Sequence, residues 1–178
     1  MPLSQPAIPV RSLIEKYQRS TEFLQLTDRL MKIPETVTGL VDLAVSDDVY
    51  PFPQYASQLL LHVARKDKTS IDYHKVVDCL LVTNNSSVQR NLLGVILCFP
   101  LNDYKDGELL DWLFVLINDP ASKPGLLNYA VRKLAQFVAL YPELLHEIEQ
   151  ALELREQMNL NPGILAWSKK VFLKRSGR

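Results

Sequence analysis

The chain is poor in the residues on which small-molecule chemistry usually rests. Of its 178 residues, two are cysteine (Cys79 and Cys98) and three are histidine (His62, His74 and His146). Two thiols cannot build a disulfide framework, and both sit in apolar runs where a thiol behaves as a small hydrophobe, so a cytoplasmic, reducing compartment is expected. The histidines fall on three separate segments and none begins an H-E-x-x-H or C-x-x-C pairing, so no metal site is expected. His62, beside Arg65, reads as a solvated surface histidine before it reads as an anion contact. The six glycines form neither G-x-G-x-x-G nor G-x-x-x-x-G-K, which removes the usual phosphate cradle, and no cofactor is expected. No apolar run reaches the roughly 18 residues of a membrane span. The N-terminal MPLSQPAIPVR has three prolines and no apolar core, so neither export nor membrane insertion is expected. Excess charge of one sign is also lacking: Lys plus Arg and Asp plus Glu number 20 each, with pI ≈ 6.8, unlike a dedicated nucleic-acid binder.

What the chain does have is a repeat. The apolar phrases LVDL from Leu40, VVDC from Val76, LLDW from Leu109 and LLHE from Leu144 start 36, 33 and 35 residues apart. That is the period of a two-helix unit, in which each phrase opens one helix and a second apolar helix follows. Proline lacks an amide donor and is excluded from helix interiors, so the eleven prolines divide the helices. They predict helices near 9–18, 20–32, 34–46, 53–66, 71–83, 86–99, 106–118, 124–140, 142–156 and 162–174. Ser20, Ser70, Ser86 and Asp106 stand where a side-chain oxygen can cap. No segment alternates with period two, so the expected class is all-α. The expected organisation is an N-terminal tail over 1–8 and one α-solenoid domain over 9–174, with a cap at 9–32 and pairs near 34–66, 71–99, 106–140 and 142–174. A basic tail over 175–178 follows.

In the helix after Pro124, Leu127, Ala130, Val131, Leu134, Ala135 and Val138 form one apolar stripe, which places Tyr129, Arg132, Lys133 and Gln136 on the opposite side. The same projection sets Gln58, His62 and Arg65 against Ala56, Leu60 and Val63, and Lys169 and Lys170 against Ile164, Ser168 and Val171. Leu93 and Leu97 break this polarity, as in a helix covered on both sides. Trp112 and Trp167 read as core residues. In VYPFPQY, the rings of Tyr50, Phe52 and Tyr55 read as a staple between helices ahead of a recognition surface. Asp47 and Asp48 read as a solvated turn rather than an acid–base pair.

LVDLAVSDD, VVDCLLVTNNSSVQR and LLDWLFVLINDPASK resemble HEAT-type repeats, with an apolar first helix, an Asx-rich turn and a second helix carrying a basic residue. Through ASQLLLHVARK and YAVRKLAQFVALYPEL the chain also resembles a family of small bacterial HEAT-like proteins of unsettled function. Members of that family have been labelled adenylosuccinate lyase by automatic transfer. The resemblance, over roughly residues 20–174, implies a right-handed superhelix of about four helix pairs and no particular activity. Adenylosuccinate lyase itself resembles a much longer helical-bundle tetramer with a Ser-rich S-S-x-M-P loop, and no such loop is present here, so no enzymatic activity and no catalytic residues are expected.

Charge divides between the two helix sets. Segments 34–48, 70–84, 102–119 and 142–156 hold 16 acids and 3 bases, whereas 51–68, 85–101, 120–141 and 160–178 hold 1 acid and 12 bases. In a HEAT-like stack the second helices line the concave face, so the resemblance implies a basic inner surface built from Arg65, Arg90, Tyr129, Arg132, Lys133, Gln136, Lys169 and Lys170. Two readings of this polarity stand side by side: a groove for an acidic protein or peptide, or layers that attract each other and keep the protein soluble. A further alternative is a nucleic-acid binder resembling HEAT-like DNA alkylation-repair glycosylases. Here no Trp and Asp can be placed together as a lesion site, and the low pI argues against it.

Overall fold

The structure, a computed structural model, describes residues 10–17, 22–23, 25–46 and 48–175. Among the described residues there are ten α-helices and no strand, in agreement with the all-α class. The expected cap Ser20, the carboxylate of Asp47 and residues 1–8 and 176–178 of the two tails lie outside the described residues, as does the side chain of Arg175. The chain divides after Cys98 into two compact units.

The first unit contains α1 (Val10–Tyr17), α2 (Leu26–Leu30), α3 (Pro34–Ala44), α4 (Phe52–Lys66), α5 (Tyr73–Val82) and α6 (Ser86–Ile96). Helices α3 and α4 form one hairpin and α5 and α6 the next, with α4 lying along α6 and α3 touching α5. Two layers result, first helices in one and second helices in the other. The core between them holds Leu40 and Val41 of α3, Leu59, Leu60 and Val63 of α4, Val76, Val77 and Leu80 of α5, and Val88, Leu92, Leu93 and Ile96 of α6. Each such aliphatic side chain contributes roughly 1.5–3 kcal/mol on burial. Helix α1 closes the unit by resting on α3 and α4. It comes so near that a Cβ on Gly39 would stand 3.1 Å from Val10 Cγ2.

The second unit repeats the plan with α7 (Asp106–Asn118), α8 (Pro124–Leu140), α9 (Leu144–Gln157) and α10 (Ile164–Arg175). Helices α7 and α8 pair, α9 and α10 pair, α8 lies along α10 and α7 against α9. Leu109, Leu113, Ile117, Leu127, Ala130, Val131, Leu134, Ile148 and Leu152 are buried.

Local differences from the sequence reading have physical causes. The repeated phrases mark the first helices but do not all open them: LVDL closes α3, whose start is set by Pro34, and VVDC lies inside α5. The cap of α5 is Asp72, not Ser70, because its carboxylate accepts from Lys75 N at 3.2 Å. The cap of α6 is Asn85, not Ser86, with Oδ1 accepting from Ser87 N and Val88 N. Asp106 is the first residue of α7 rather than its cap, and its Oδ2 accepts from Asp103 N at 3.1 Å. Among the described residues of the helix expected over 20–32, α2 is the helical part, and it ends when Lys32 N and Ile33 N turn back to Arg29 O and Leu30 O in a tighter three-residue turn before Pro34. In VYPFPQY, Phe52 is buried under the Arg11 guanidinium at 4.4 Å and Tyr55 meets Phe23 edge-on at 4.9 Å, while Tyr50 is exposed. The staple reading fits two of the three rings.

Candidate binding face on the second-helix layer

In the first unit the register of α4 and α6 is set by a buried polar bridge. Asn91 Nδ2 donates to Ser57 Oγ at 3.0 Å, and Ser57 Oγ donates to Gln54 O at 2.9 Å. A further contact shows that the helices run the same way: Lys68 Nζ, beyond α4, donates to Cys98 O, beyond α6, at 2.9 Å. Arg90, exposed in the second turn of α6, is therefore level with the start of α4, whereas Arg65 is exposed in its last turn. At 1.5 Å per residue, the two guanidinium-bearing positions are about 12 Å apart along the layer. They share a layer without forming a cluster. Between them Gln58 and His62 are half-buried on α4. Burial lowers the His62 pKa, and the positive charges of Arg65 and Lys66 lower it further, so its ring favours the neutral form.

In the second unit, α8 and α10 also run parallel, since their first turns face each other across a recess of about 400 Å³. Pro124 and Asn128 form one wall, Ile164 and Trp167 the other, and Leu160 to Gly163 close the end. Arg132 on α8 and Lys169 and Lys170 on α10 are exposed, and Tyr129 and Gln136 are half-buried. Lys133 departs from its expected position. It is fully buried, and its Nζ donates to Gln136 Oε1 at 2.8 Å. The cause is that α8 is covered by α7, α9 and α10, which widens its buried arc beyond the single stripe read from spacing. A second recess of about 350 Å³ lies at the far end of α8, between Pro100, Leu101, Gln136, Ala139 and Leu140. Trp112 and Trp167, expected in the core, are half-buried.

One functional-looking cation was missed by spacing. Arg155 of α9 is buried and its guanidinium donates from Nε to Asn161 Oδ1 at 2.9 Å and from Nη1 to Ile117 O at 3.1 Å. The signal was available: Ile148, Leu152 and Arg155 follow one core stripe at steps of four and three. Nearby, Glu156 Oε1 accepts from Leu165 N at 2.8 Å and so caps α10. The first contact holds Asn161, which lines the 400 Å³ recess, and the last holds Leu165 next to the lining residue Ile164.

The remaining candidates are spread out. Cys79 is buried and Cys98 half-buried, both free thiols, and burial raises the pKa of each, which disfavours the reactive thiolate. His74 is exposed beside the Tyr73 ring, and exposed His146 is 3.0 Å from Gln150. Asp48 pairs with Arg11. Among the described residues no group of three His, Cys, Asp or Glu is placed to hold a metal ion, and no helix is long and apolar enough to cross a membrane.

None of the curated proteins and none of the solved structures compared with the chain matches it. The model of a HEAT repeat domain does match, over residues 44–175, which takes in α4 to α10. With paired helices stacked in two layers in each unit and a match over most of its length, the chain belongs to the HEAT repeat domain family.

Proposed function

We propose that this protein is a non-enzymatic binding module whose second helices, within each unit, present basic faces to an acidic protein or peptide. HEAT repeats commonly mediate protein interactions, and their stacked helices hold side chains on a fixed surface. The observation that carries the reading is the separation of charge: the second-helix segments hold 12 bases and 1 acid. Of these bases Arg65, Arg90, Arg132, Lys169 and Lys170 are exposed. Such basic faces attract carboxylates and repel basic segments, which gives orientation as well as affinity. Tyr129 and Gln136 add an aromatic edge and an amide beside the cations. Two free cysteines fit a cytoplasmic location for this work.

The test compares a Glu-rich peptide with double-stranded DNA of similar charge, each titrated against the protein at low and at physiological salt. The Glu-rich peptide binds, more weakly as salt rises, and reversal of Arg132 and Lys170 to Glu weakens binding while leaving the fold unchanged. Tighter binding to DNA, with a steep salt slope, replaces this reading with the nucleic-acid one. Unchanged peptide binding in the reversed variant overturns the assignment of the surface.

A further inference from the structure

We propose that the recess between α8 and α10 is an anchor pocket for one bulky apolar side chain of an acidic segment, with the segment's carboxylates meeting Arg132 and Lys170 one helical turn farther along. This rests on the reading of the second-helix layer as an acid-binding surface, and it specifies what else the partner must carry.

Three features converge on the pocket. The first is its space and lining. At about 400 Å³ it exceeds one side chain, and its lining joins Pro124, Leu160, Ile164 and the half-buried Trp167 ring with the amides of Asn128 and Asn161. Hot spots in protein recognition are commonly aromatic or aliphatic anchors in such pockets, ringed by polar contacts. The second is rigidity. Arg155 holds Asn161 at 2.9 Å, Glu156 holds Leu165 N at 2.8 Å, and Pro124 and Pro162 limit the backbone on both sides. A pocket already in shape loses little freedom on binding. The third is charge complementarity. One turn beyond Asn128 on α8 stands Arg132, and one turn beyond Trp167 on α10 stands Lys170, both exposed. Segments 120–141 and 160–178 contain no acidic residue, and the nearby Glu156 carboxylate is engaged as a cap. An apolar side chain alone would find many surfaces; one followed after a turn by paired carboxylates fits this place.

The experiment uses the full chain and two labelled Glu–Ser peptides that differ only at one central position, Phe or Ser, followed by fluorescence anisotropy. Burial of the ring makes the Phe peptide bind roughly tenfold or more tightly than its Ser counterpart. Trp167→Ala removes that preference, and so does Asn128→Trp, which fills the recess from the α8 wall without emptying the core. Circular dichroism melting of each variant confirms that it is folded. Arg132→Glu with Lys170→Glu weakens both peptides alike. If both peptides bind equally and both respond to the charge reversal, the anchor pocket is overturned while the acidic-partner reading stands. A Phe preference that survives both recess variants places the anchor elsewhere and also overturns it. Binding of neither peptide overturns the pocket and the broader reading together, and equal binding of a Lys–Ser peptide with the same Phe rejects the charge requirement.

Discussion

Arg155 and Asp119 are 36 residues apart, yet Arg155 Nη1 donates to the Asp119 carbonyl at 2.6 Å. Asp119 stands at the C-terminal cap of α7, and the same nitrogen also reaches the Ile117 carbonyl at 3.1 Å. The guanidinium thus satisfies carbonyls that the end of a helix leaves without intrahelical donors, and places a positive charge at the negative end of its dipole. Burial lowers the Arg155 pKa and the Asp119 carboxylate opposes that shift, but arginine remains protonated throughout the physiological range. Arg155→Ala leaves buried carbonyls unpaired and is expected to cost about 3 kcal/mol of unfolding free energy. Arg155→Lys keeps the charge without the fork and is expected to recover less than half of it. Urea unfolding followed by Trp112 and Trp167 emission, both in this unit, measures the difference. A loss below about 1 kcal/mol for the alanine variant contradicts the clamp.

Arg132 and Lys133 are adjacent, but only Arg132 faces solvent. Charge reversal separates them. Lys133→Glu replaces a buried cation by a buried anion facing the Gln136 amide oxygen and is expected to cost about 3–5 kcal/mol. Arg132→Glu is expected to change stability by no more than about 0.5 kcal/mol. Thermal melts of the two single variants check this directly, and equal effects would mean that Lys133 escapes to solvent. Binding changes seen on altering Lys133 are then changes of fold, so Arg132 is the informative position for partner binding.

The contrast shows how much of this molecule was legible in its sequence. Pro34 and Pro124 each stand at the first position of a helix, and the repeated apolar phrases fall one to each first helix, so the fold could be read before any coordinates. Projection also placed Arg65, Arg132, Lys169 and Lys170 on exposed surface. Lys133 was misplaced because a single-helix projection shows one stripe, whereas the number of neighbours around α8 sets how wide the buried arc becomes. Arg155 was passed over because its charge hid its core register. Its partners are backbone carbonyls, which have no sequence signature. The caps Asp72 and Asn85 each lie within two residues of the serine, Ser70 or Ser86, that the sequence reading picked instead, and hydrogen-bond geometry decides between them.

His62 supplies a pH dependence whose sign can be worked out. Its pKa in the folded chain lies below the usual 6.5, first because it is partly buried and then because Arg65 and Lys66 repel a second positive charge. As pH falls through about 6.5 the unfolded chain takes up a proton that the folded chain still declines, so unfolding is favoured by acid. The loss begins near the unfolded value and stops growing once pH passes below the lowered folded value, where both states are protonated. The difference in unfolding free energy between the wild type and His62→Gln should therefore decline with acidification over that window and then level off, because other groups cancel in the difference. Replacing Arg65 and Lys66 by Gln should move the His62 titration back toward 6.5 only in part, since burial, the larger cause, remains. The ring proton resonances of His62, followed by NMR across the same pH range, give the folded value directly. A midpoint at 6.5 would abolish the predicted dependence and show that the ring is solvated and free of the neighbouring cations, and a midpoint above 6.5 would reverse the sign.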